Sequence, residues 1–271
     1  MSTLDLRMIK PIANRPYINF DQYVDIDKLN SLKLEVCKAF SQSWATGQVL
    51  PSVAGIGPNW PDGSGKLPRP VGRELVDALH YTKRNPEAIG HTEVIELTKN
   101  INSYAYMFLK LIGDNLGIGY NLYLRAPTTS DYNDKHLESK TTYTKPAEYF
   151  RGLISWVHQQ HIFDQIGRIV VFFNDQDQYC LMHRDRSALN PVEKPDQFIW
   201  INFFTDRKQF YLFDGETGDE YPIEGQVSWF DTENWHASKP SPFAAFSIRF
   251  DGVFSDAWLE TTKLTDYRLA P

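Results

Sequence analysis

From Arg168 onward the chain consists of short runs of β-branched and aromatic residues, and turn-forming residues separate one run from the next. The runs are RIVVFF, YCLMH, QFIWINFF, QFYLF, QVSWF and AAFSIRF. Gly215, Gly218 and Gly225 lie between runs and allow the tight turns that this spacing requires. Several short strands at such spacing pack as two sheets or close on themselves. The sequence therefore predicts an all-β segment, either a sandwich or a barrel.

The N-terminal part, residues 1–166, is predicted to be helical and rich in loops. Apolar residues recur at steps of three and four over 92–113, which indicates one buried helix face. Shorter helices are predicted over 26–41 and 146–158. Residues 47–71 are dense in glycine and proline, so we expect a loop that either wraps the domain or covers a substrate.

Length and charge narrow the class of protein. The chain has 271 residues, which we interpret as a single domain, and its net charge of −6 gives no overall positive field to attract nucleic acid. No apolar run reaches the roughly 18 residues of a spanning helix, and the start has no apolar signal-peptide region. We therefore expect a cytoplasmic protein without membrane contact.

Cys37 and Cys180 are too few for a disulfide framework or a thiolate metal site.

A histidine followed two positions later by an acidic residue occurs three times, and this spacing is the short half of a metal-ligand motif. The three pairs are His91/Glu93, His136/Glu138 and His183/Asp185. The first pair lies at the start of the long predicted helix, where residues two apart do not face each other. The second lies in the polar stretch SDYNDKHLESK and is predicted to be solvated. Only the third follows a predicted strand, YCLMH, whose end can hold both side chains beside one metal ion.

A second histidine and an arginine complete the predicted site. His236 is the only histidine after Asp185 and lies 51 residues downstream, far enough for later strands to return. Two histidines and one carboxylate form the ligand set of non-haem Fe(II) enzymes, which leaves positions open for an oxoacid and oxygen. Arg249 follows 13 residues after His236, between two apolar neighbours. We predict that Arg249 binds the far carboxylate of 2-oxoglutarate. The alternative is that its side chain faces solvent.

The pattern His-Arg-Asp at 183–185, followed by His236 and Arg249, resembles the Fe(II)/2-oxoglutarate-dependent dioxygenase superfamily. The stretches GRIVVFFNDQDQYCLMHRD and GQVSWFDTENWHAS are most similar to its aspartyl/asparaginyl hydroxylase-like group, which includes free-proline hydroxylases. Members of that group place the 2-oxoglutarate arginine closer to the distal histidine, at the position of Phe246 here. The later position of Arg249 is similar to that in other branches of the superfamily.

The resemblance implies a fold and a reaction. The fold is a double-stranded β-helix, a jelly-roll of cupin type, over residues 167–254, flanked by helices and followed by a tail at 255–271. The metal is Fe(II), held by His183, Asp185 and His236, and 2-oxoglutarate and O2 are co-substrates. Because Asp185 is present, the reaction is expected to be hydroxylation of a small molecule, such as a free amino acid or a metabolite derived from one.

Substrate contacts are expected from residues that flank the predicted ligands or lie on the predicted strands. These are Arg184, Trp200, Asn202 and Trp235. Packing in the core is the alternative for both tryptophans. Two other functions stay open: hydroxylation of a protein or peptide side chain, which needs an open groove, and a non-catalytic, metal-binding cupin-like domain.

Overall fold

The computed structural model describes residues 17–45, 50–51, 120–129, 132–174, 196–203, 209–214, 217–232, 234–239 and 245–264. The strands in these ranges are β1 (Tyr17–Asn19), β2 (Leu50–Pro51), β3 (Tyr120–Pro127), β4 (Thr141–Tyr143), β5 (Phe163–Asn174), β6 (Phe198–Asn202), β7 (Phe210–Phe213), β8 (Glu220–Pro222), β9 (Val227–Phe230), β10 (Trp235–Ser238) and β11 (Ala245–Phe254). The α-helices are α1 (Ile26–Ser31), α2 (Lys33–Ala45), α3 (Arg151–Gln159) and α4 (Asp256–Thr262). Short 3₁₀ helices cover Asp21–Tyr23, Tyr132–His136, Glu138–Lys140 and Lys145–Phe150.

The strands form two sheets in which all pairs are antiparallel. The larger sheet has the order β1-β9-β6-β11-β5-β3-β2, with β4 paired to β3, and the smaller has the order β10-β7-β8. From β6 onward the chain passes repeatedly between the two: β6, β9 and β11 belong to the larger sheet, and β7, β8 and β10 to the smaller. The prediction of a mostly β fold is confirmed for the described residues.

Aromatic side chains join the two sheets face to face. The ring of Trp200 on β6 lies 4.6 Å from that of Phe210 on β7, measured between centroids. Residues directly opposite each other in an antiparallel pair point to the same face. Arg249 on β11 and Ser228 on β9 are both opposite Trp200, so they share its orientation toward the smaller sheet. We call this surface of the larger sheet the inner face.

Helices cover the other, outer face of the larger sheet. Phe40 of α2 lies 4.7 Å from Phe173 on β5 and 4.8 Å from Phe246 on β11, between ring centroids. Ile248 is fully buried on the same side of β11. Both faces of β11 are covered, so its alternating residues are all largely buried. Apolar residues such as Ile248 lie under the helices, and polar residues such as Arg249 face the second sheet.

The helices differ in detail from their predicted ranges. The predicted helix 26–41 is two helices, because α1 ends at Ser31, with Leu32 as its C-cap, and α2 begins at Lys33. The Asp25 carboxylate starts α1 by accepting a hydrogen bond from the Lys28 amide at 2.9 Å. The predicted helix 146–158 begins as a 3₁₀ turn and continues as α3. The predicted helix 92–113 lies outside the described residues, and so does the predicted loop 47–71 except for β2.

Four strands precede residue 167 and were not anticipated from the sequence. They are β1, β2, β3 and β4, and all belong to the larger sheet. The longest, β3 (YNLYLRAP), pairs with β5 from Tyr120 to Arg125. Its buried residues include Asn121 and Arg125, so it lacks the alternation of polar and apolar residues that would reveal a strand. The sheet therefore extends beyond the predicted core segment 167–254.

The predicted C-terminal tail contributes a short helix to the core. Ser255 begins α4, and its hydroxyl accepts a hydrogen bond from the Trp258 amide at 3.2 Å. The Trp258 ring lies 5.1 Å from Phe20, so α4 packs beside the N-terminal strand β1. Among the helices that the structure describes, none has both the length and the apolar character that crossing a membrane requires.

Gly167 of β5 provides a test of this packing. A Cβ atom there would lie 2.1 Å from the Lys135 carbonyl oxygen, in the backbone of a 3₁₀ helix. Because backbone cannot move aside easily, we expect Gly167→Ala to lower the free energy of unfolding by about 1–3 kcal/mol in urea titrations. In Gly225→Ala the new Cβ meets only the Asn19 side chain, at 2.8 Å, and should cost less. Equal losses of stability in the two variants would contradict the close approach of Gly167 to the Lys135 backbone.

Candidate functional site

His236 lies on β10 between two aromatic rings. Its ring centroid is 5.4 Å from that of Phe230 on β9 and 5.8 Å from that of Phe210 on β7. Only 4% of the residue is exposed. Phe230 and Phe210 also contact Trp200, which places His236 in the space between the two sheets.

One hydrogen bond sets the protonation of the His236 ring. The Nδ1 atom lies 2.8 Å from the Asn234 carbonyl oxygen. A carbonyl oxygen can only accept, so Nδ1 carries the proton and Nε2 of the neutral ring has the lone pair. Metal-binding histidines are commonly held in this way, with one nitrogen donating to a backbone carbonyl and the other available to the metal. His236 therefore has the tautomer that suits a metal ligand bound through Nε2.

Aromatic rings surround the approach to His236 from the larger sheet. Trp200 is stacked against Phe172 of β5 at 5.5 Å and against Phe210 at 4.6 Å, and its distance to Phe230 is 5.9 Å. These side chains are largely apolar, so they exclude water from the region next to the imidazole. Charges in such a dry region interact more strongly than they do in water.

Arg249 is buried on the inner face and held by two carboxylates. Its Nε donates to Asp251 Oδ1 at 2.8 Å, and its Nη2 donates to Asp196 Oδ2 at 2.9 Å. The guanidinium carbon also lies 4.0 Å from the centre of the Phe198 ring. Only 4% of the arginine is exposed, so the solvent-facing alternative is excluded.

The two carboxylates extend these contacts into a buried ion network. Asp196 Oδ2 also accepts hydrogen bonds from Lys135 Nζ at 2.7 Å and from Thr232 Oγ1 at 3.1 Å. Asp251 Oδ2 accepts one from Arg168 Nε at 2.7 Å. We use the term ion network for Lys135, Arg168, Asp196, Arg249 and Asp251. It joins β11, β5, the start of β6 and the 3₁₀ helix Tyr132–His136, and it contains three cationic side chains and two carboxylates.

Burial and neighbouring charges shift the pKa values in and near this network. Burial lowers the pKa of Lys135 from 10.5 to about 7, although the Asp196 carboxylate opposes that shift. Burial by itself would raise the pKa of Asp251, but Arg168 and Arg249 together hold it below its ordinary value. Burial also raises the pKa of the Tyr123 hydroxyl. Lys135 is thus the member of the network whose charge changes near neutral pH.

The prediction that the pair His136/Glu138 is solvated is wrong for His136, and the neighbouring Lys135 is buried as well. Lys135 is only 2% exposed, and the His136 side chain is only 16% exposed. The His136 Nε2 atom lies 3.5 Å from Asp196 Oδ1. Glu138 does face solvent, with a side chain 60% exposed, and it pairs with Arg125. Local polarity misled the prediction because the carboxylate that draws Lys135 and His136 inward lies about sixty positions later in the chain.

The other predicted site residues are distributed between the inner face and its surroundings. Trp200 and Asn202 both lie on the inner face, and Asn202 is opposite Ser247. Trp235 directly precedes His236 on β10, and successive strand residues point to opposite faces, so it points away from this interior. The predicted ligands and substrate residue at 183–185, His183, Arg184 and Asp185, lie outside the described residues. Within the described part of the chain, no three His, Cys, Asp or Glu side chains are grouped to hold a metal ion.

Sequence reasoning missed the acidic partners of Arg249. Asp251 had a detectable signal, since it lies two residues after Arg249 in the same strand and must share its face. Asp196 had none, because it precedes β6 and reaches Arg249 only through the sheet order. Thr232 and Ser228 were also missed, and both are almost completely buried.

Comparison with known proteins gives only distant likenesses. No protein-family model matches the chain, and no curated protein matches its sequence. Among solved structures, a Pseudomonas putida prolyl-4-hydroxylase is 9% identical, with 92% of this chain and 97% of that chain covered and a TM-score of 0.41. A Trichoplax adhaerens prolyl hydroxylase in complex with a hypoxia-inducible-factor peptide is 13% identical, with 52% and 74% covered and a TM-score of 0.28. A Bordetella pertussis cupin domain is 9% identical, with 35% and 86% covered and a TM-score of 0.24. These similarities are low, so the function proposed below rests on the side chains of this chain.

Removing one carboxylate tests how strongly the ion network supports the fold. In Asp251→Asn, the two guanidinium groups of Arg168 and Arg249 lose their shared counter-charge in a fully buried position. We expect the free energy of unfolding, measured by urea denaturation, to fall by about 3–5 kcal/mol. The matched control is Glu220→Gln, which removes the exposed ion pair with Lys239 and should cost less than about 1 kcal/mol. Similar losses in the two variants would contradict a stabilising role for the network.

Lys135 should make stability depend on pH above neutrality. Its pKa in the folded protein, about 7, lies below its ordinary value of 10.5, so between these values the unfolded state binds more protons. The free energy of unfolding therefore increases as pH is raised from 7 toward 10.5, and this gain is lost as pH is lowered again to 7. Between pH 7 and 9 the wild-type protein should gain about 1–2 kcal/mol relative to Lys135→Met in denaturant titrations. A stability slope in Lys135→Met that runs parallel to the wild-type slope would refute the assignment.

Proposed function

We propose that this protein is an Fe(II)- and 2-oxoglutarate-dependent dioxygenase that hydroxylates a small molecule, such as a free amino acid or a related metabolite. The observation that carries the proposal is the position and tautomer of His236. The residue is buried between the two sheets, and the hydrogen bond from its Nδ1 to the Asn234 carbonyl directs Nε2 to the role of ligand.

His183 and Asp185 are proposed as the other two protein ligands. Both follow β5 in the chain, and β5 lies in the sheet whose inner face is directed toward His236. Two imidazoles and one carboxylate suit Fe(II) and leave coordination positions open. The proposed set of two histidines and one carboxylate fits this ion better than it fits a structural zinc site, which would need a fourth protein ligand.

The strand order supports a double-stranded β-helix as the core of the proposed enzyme. From β6 to β11 the chain crosses repeatedly between the two sheets, which is typical of a jelly-roll, and the pair of sheets encloses Trp200, Phe210 and His236. Ligand sites in such folds lie between the sheets. Membership of the aspartyl/asparaginyl hydroxylase-like group is part of this proposal and rests on the stretches around Asp185 and His236.

When bound, the metal with 2-oxoglutarate and O2 would convert a substrate C–H bond to C–OH, with succinate and CO2 as co-products. The chain's own contribution is to bind, orient and shield the reactants. The aromatic side chains of Trp200, Phe172, Phe210 and Phe230 keep water from the region next to His236. The Asn234 carbonyl holds the proton on Nδ1 and keeps the imidazole in one orientation.

Arg249 is proposed to contribute the positive charge for the far carboxylate of 2-oxoglutarate. Asp251 and Asp196 hold its guanidinium in one plane on the inner face, so the arginine is ordered before any ligand binds. The same two carboxylates offset part of its positive charge, and Arg168 and Lys135 offset part of theirs. When Lys135 is protonated, three cationic groups face two carboxylates, so the network keeps a net positive charge that favours an anion.

Loss of His236 tests the proposed function. We expect anaerobically purified, Fe(II)-loaded protein to release succinate from 2-oxoglutarate once O2 is admitted, faster with one member of a pool of free amino acids. His236→Ala should reduce this rate more than about 100-fold, because even partners outside the ligand shell are often worth 10–100-fold. It should also weaken Co(II) binding, measured by its visible absorption.

His158→Ala is the matched control, since His158 is exposed on α3 and should leave both signals unchanged. Metal binding without succinate would favour a non-catalytic cupin-like domain. Succinate release stimulated by a peptide pool and not by free amino acids would favour a protein side chain as substrate.

A further inference from the structure

Two hydrogen-bond donors on the inner face have no partner among the described residues, whereas the third unpartnered group there, Asn121 Oδ1, is an acceptor. The two donors are the Nε1–H of Trp200 and the hydroxyl of Ser228. Trp200 is 8% exposed and Ser228 is completely buried. Burying a donor without an acceptor costs free energy, so native proteins normally supply one. Trp156 and Trp229 follow this rule, since their Nε1 atoms donate to the Asp25 and Asp196 carbonyl oxygens at 3.0 and 2.9 Å.

The two unpartnered groups are neighbours. Trp200 on β6 is directly opposite Ser228 on β9, and on its other side it is directly opposite Arg249 on β11. Residues opposite each other in adjacent strands have their Cβ atoms about 4.5–5.5 Å apart and share a face. Arg249, Trp200 and Ser228 therefore form one row of donors across three strands, on the face that looks toward His236.

The charge near this row indicates what kind of acceptor it would meet. The ion network that includes Arg249 is largely buried, and when Lys135 is protonated it contains three cationic side chains against two carboxylates. An indole N–H only donates, and a serine hydroxyl can donate. A row of donors beside a positive excess favours an anionic oxygen acceptor, and a carboxylate meets both conditions.

We propose that Trp200 Nε1–H and Ser228 Oγ–H donate hydrogen bonds to a carboxylate of the ligand that binds between the sheets. Identification of that ligand rests on the proposed function. The carboxylate could belong to 2-oxoglutarate or to an amino-acid substrate, and the chemistry of recognition is the same for both. Trp200 and Ser228 are then binding residues that complete the anion site begun by Arg249, and the unpaired donors are the cost of keeping that site ready.

The indole N–H signal of Trp200 reports this hydrogen bond directly. The chain has seven tryptophans, so a heteronuclear NMR spectrum contains seven indole N–H signals, and Trp200→Phe identifies the one from Trp200. In Zn(II)-loaded protein, which does not turn over, we expect this signal to move downfield when the ligand binds. A shift with 2-oxoglutarate alone assigns the carboxylate to the co-substrate. A shift only after adding the amino acid that stimulates succinate release assigns it to the substrate.

Trp258 provides the matched control for the signal. Its Nε1 is also buried without a partner among the described residues, but it lies on α4 against Phe20 and Tyr23 and away from the inner face. Its signal should not move, and Trp258→Phe should leave the KM for the ligand unchanged.

Ligand binding and protein stability together distinguish a binding role from a structural one in the inner-face variants. Ser228→Ala removes only the buried hydroxyl, whereas Trp200→Phe removes the N–H together with part of the ring system. We expect each to raise the KM for the ligand, and its Kd, by roughly 10-fold or more, while the thermal stability of Ser228→Ala is unchanged or higher. A purely structural role would instead lower stability and leave KM unaffected.

The inference can fail separately from the proposed function. If the wild-type protein releases succinate in a His236-dependent way, but the Trp200 signal stays fixed with both ligands and the KM values of the variants are unchanged, the inner-face donors do not bind a carboxylate. If there is neither succinate release nor 2-oxoglutarate binding, both the proposed function and this inference are wrong.

Discussion

The rest of the structure depends on the buried guanidinium of Arg249, which is held by two carboxylates. Arg249 occupies the middle of β11, the strand that joins β5 and β6 in the centre of the larger sheet. Its partners Asp251 and Asp196 connect it to Arg168 and Lys135, so four separate parts of the chain meet at one buried cluster. Because each charge would be costly if left unpaired, these parts are tied to one another.

This arrangement divides the space between the sheets into two environments. Around His236 the neighbours are aromatic, and the imidazole is oriented by one backbone carbonyl. Around Arg249 the neighbours are charged, with two cationic side chains and two carboxylates. The proposed function assigns the metal to the aromatic region and the oxoacid to the charged one. Trp200 lies at the boundary, since it contacts the aromatic rings and is opposite the arginine.

Predictions that depend on residues close together in the chain were more accurate than those that depend on distant residues. Most described strands after residue 168 were identified from runs of β-branched and aromatic residues, which are local signals. The short strand β8 was missed, and the predicted strand YCLMH lies outside the described residues. The strand β3 was not identified, because both of its faces are covered and its buried residues include Asn121 and Arg125. His136 was expected in solvent for a similar reason: its neighbour Asp196 is remote in the chain and close only in the fold.

The sequence by itself determined that the C-terminal segment is built of β-strands, that His236 is the one histidine available after Asp185, and that a charged residue between Ile248 and Phe250 needs a partner if buried. Those conclusions depend on residue type and spacing. Only the tertiary structure decided which carboxylates hold Arg249, which nitrogen of His236 is protonated, and which donors beside Trp200 are left without acceptors. Sheet order decides them, because it brings together residues that no local pattern relates.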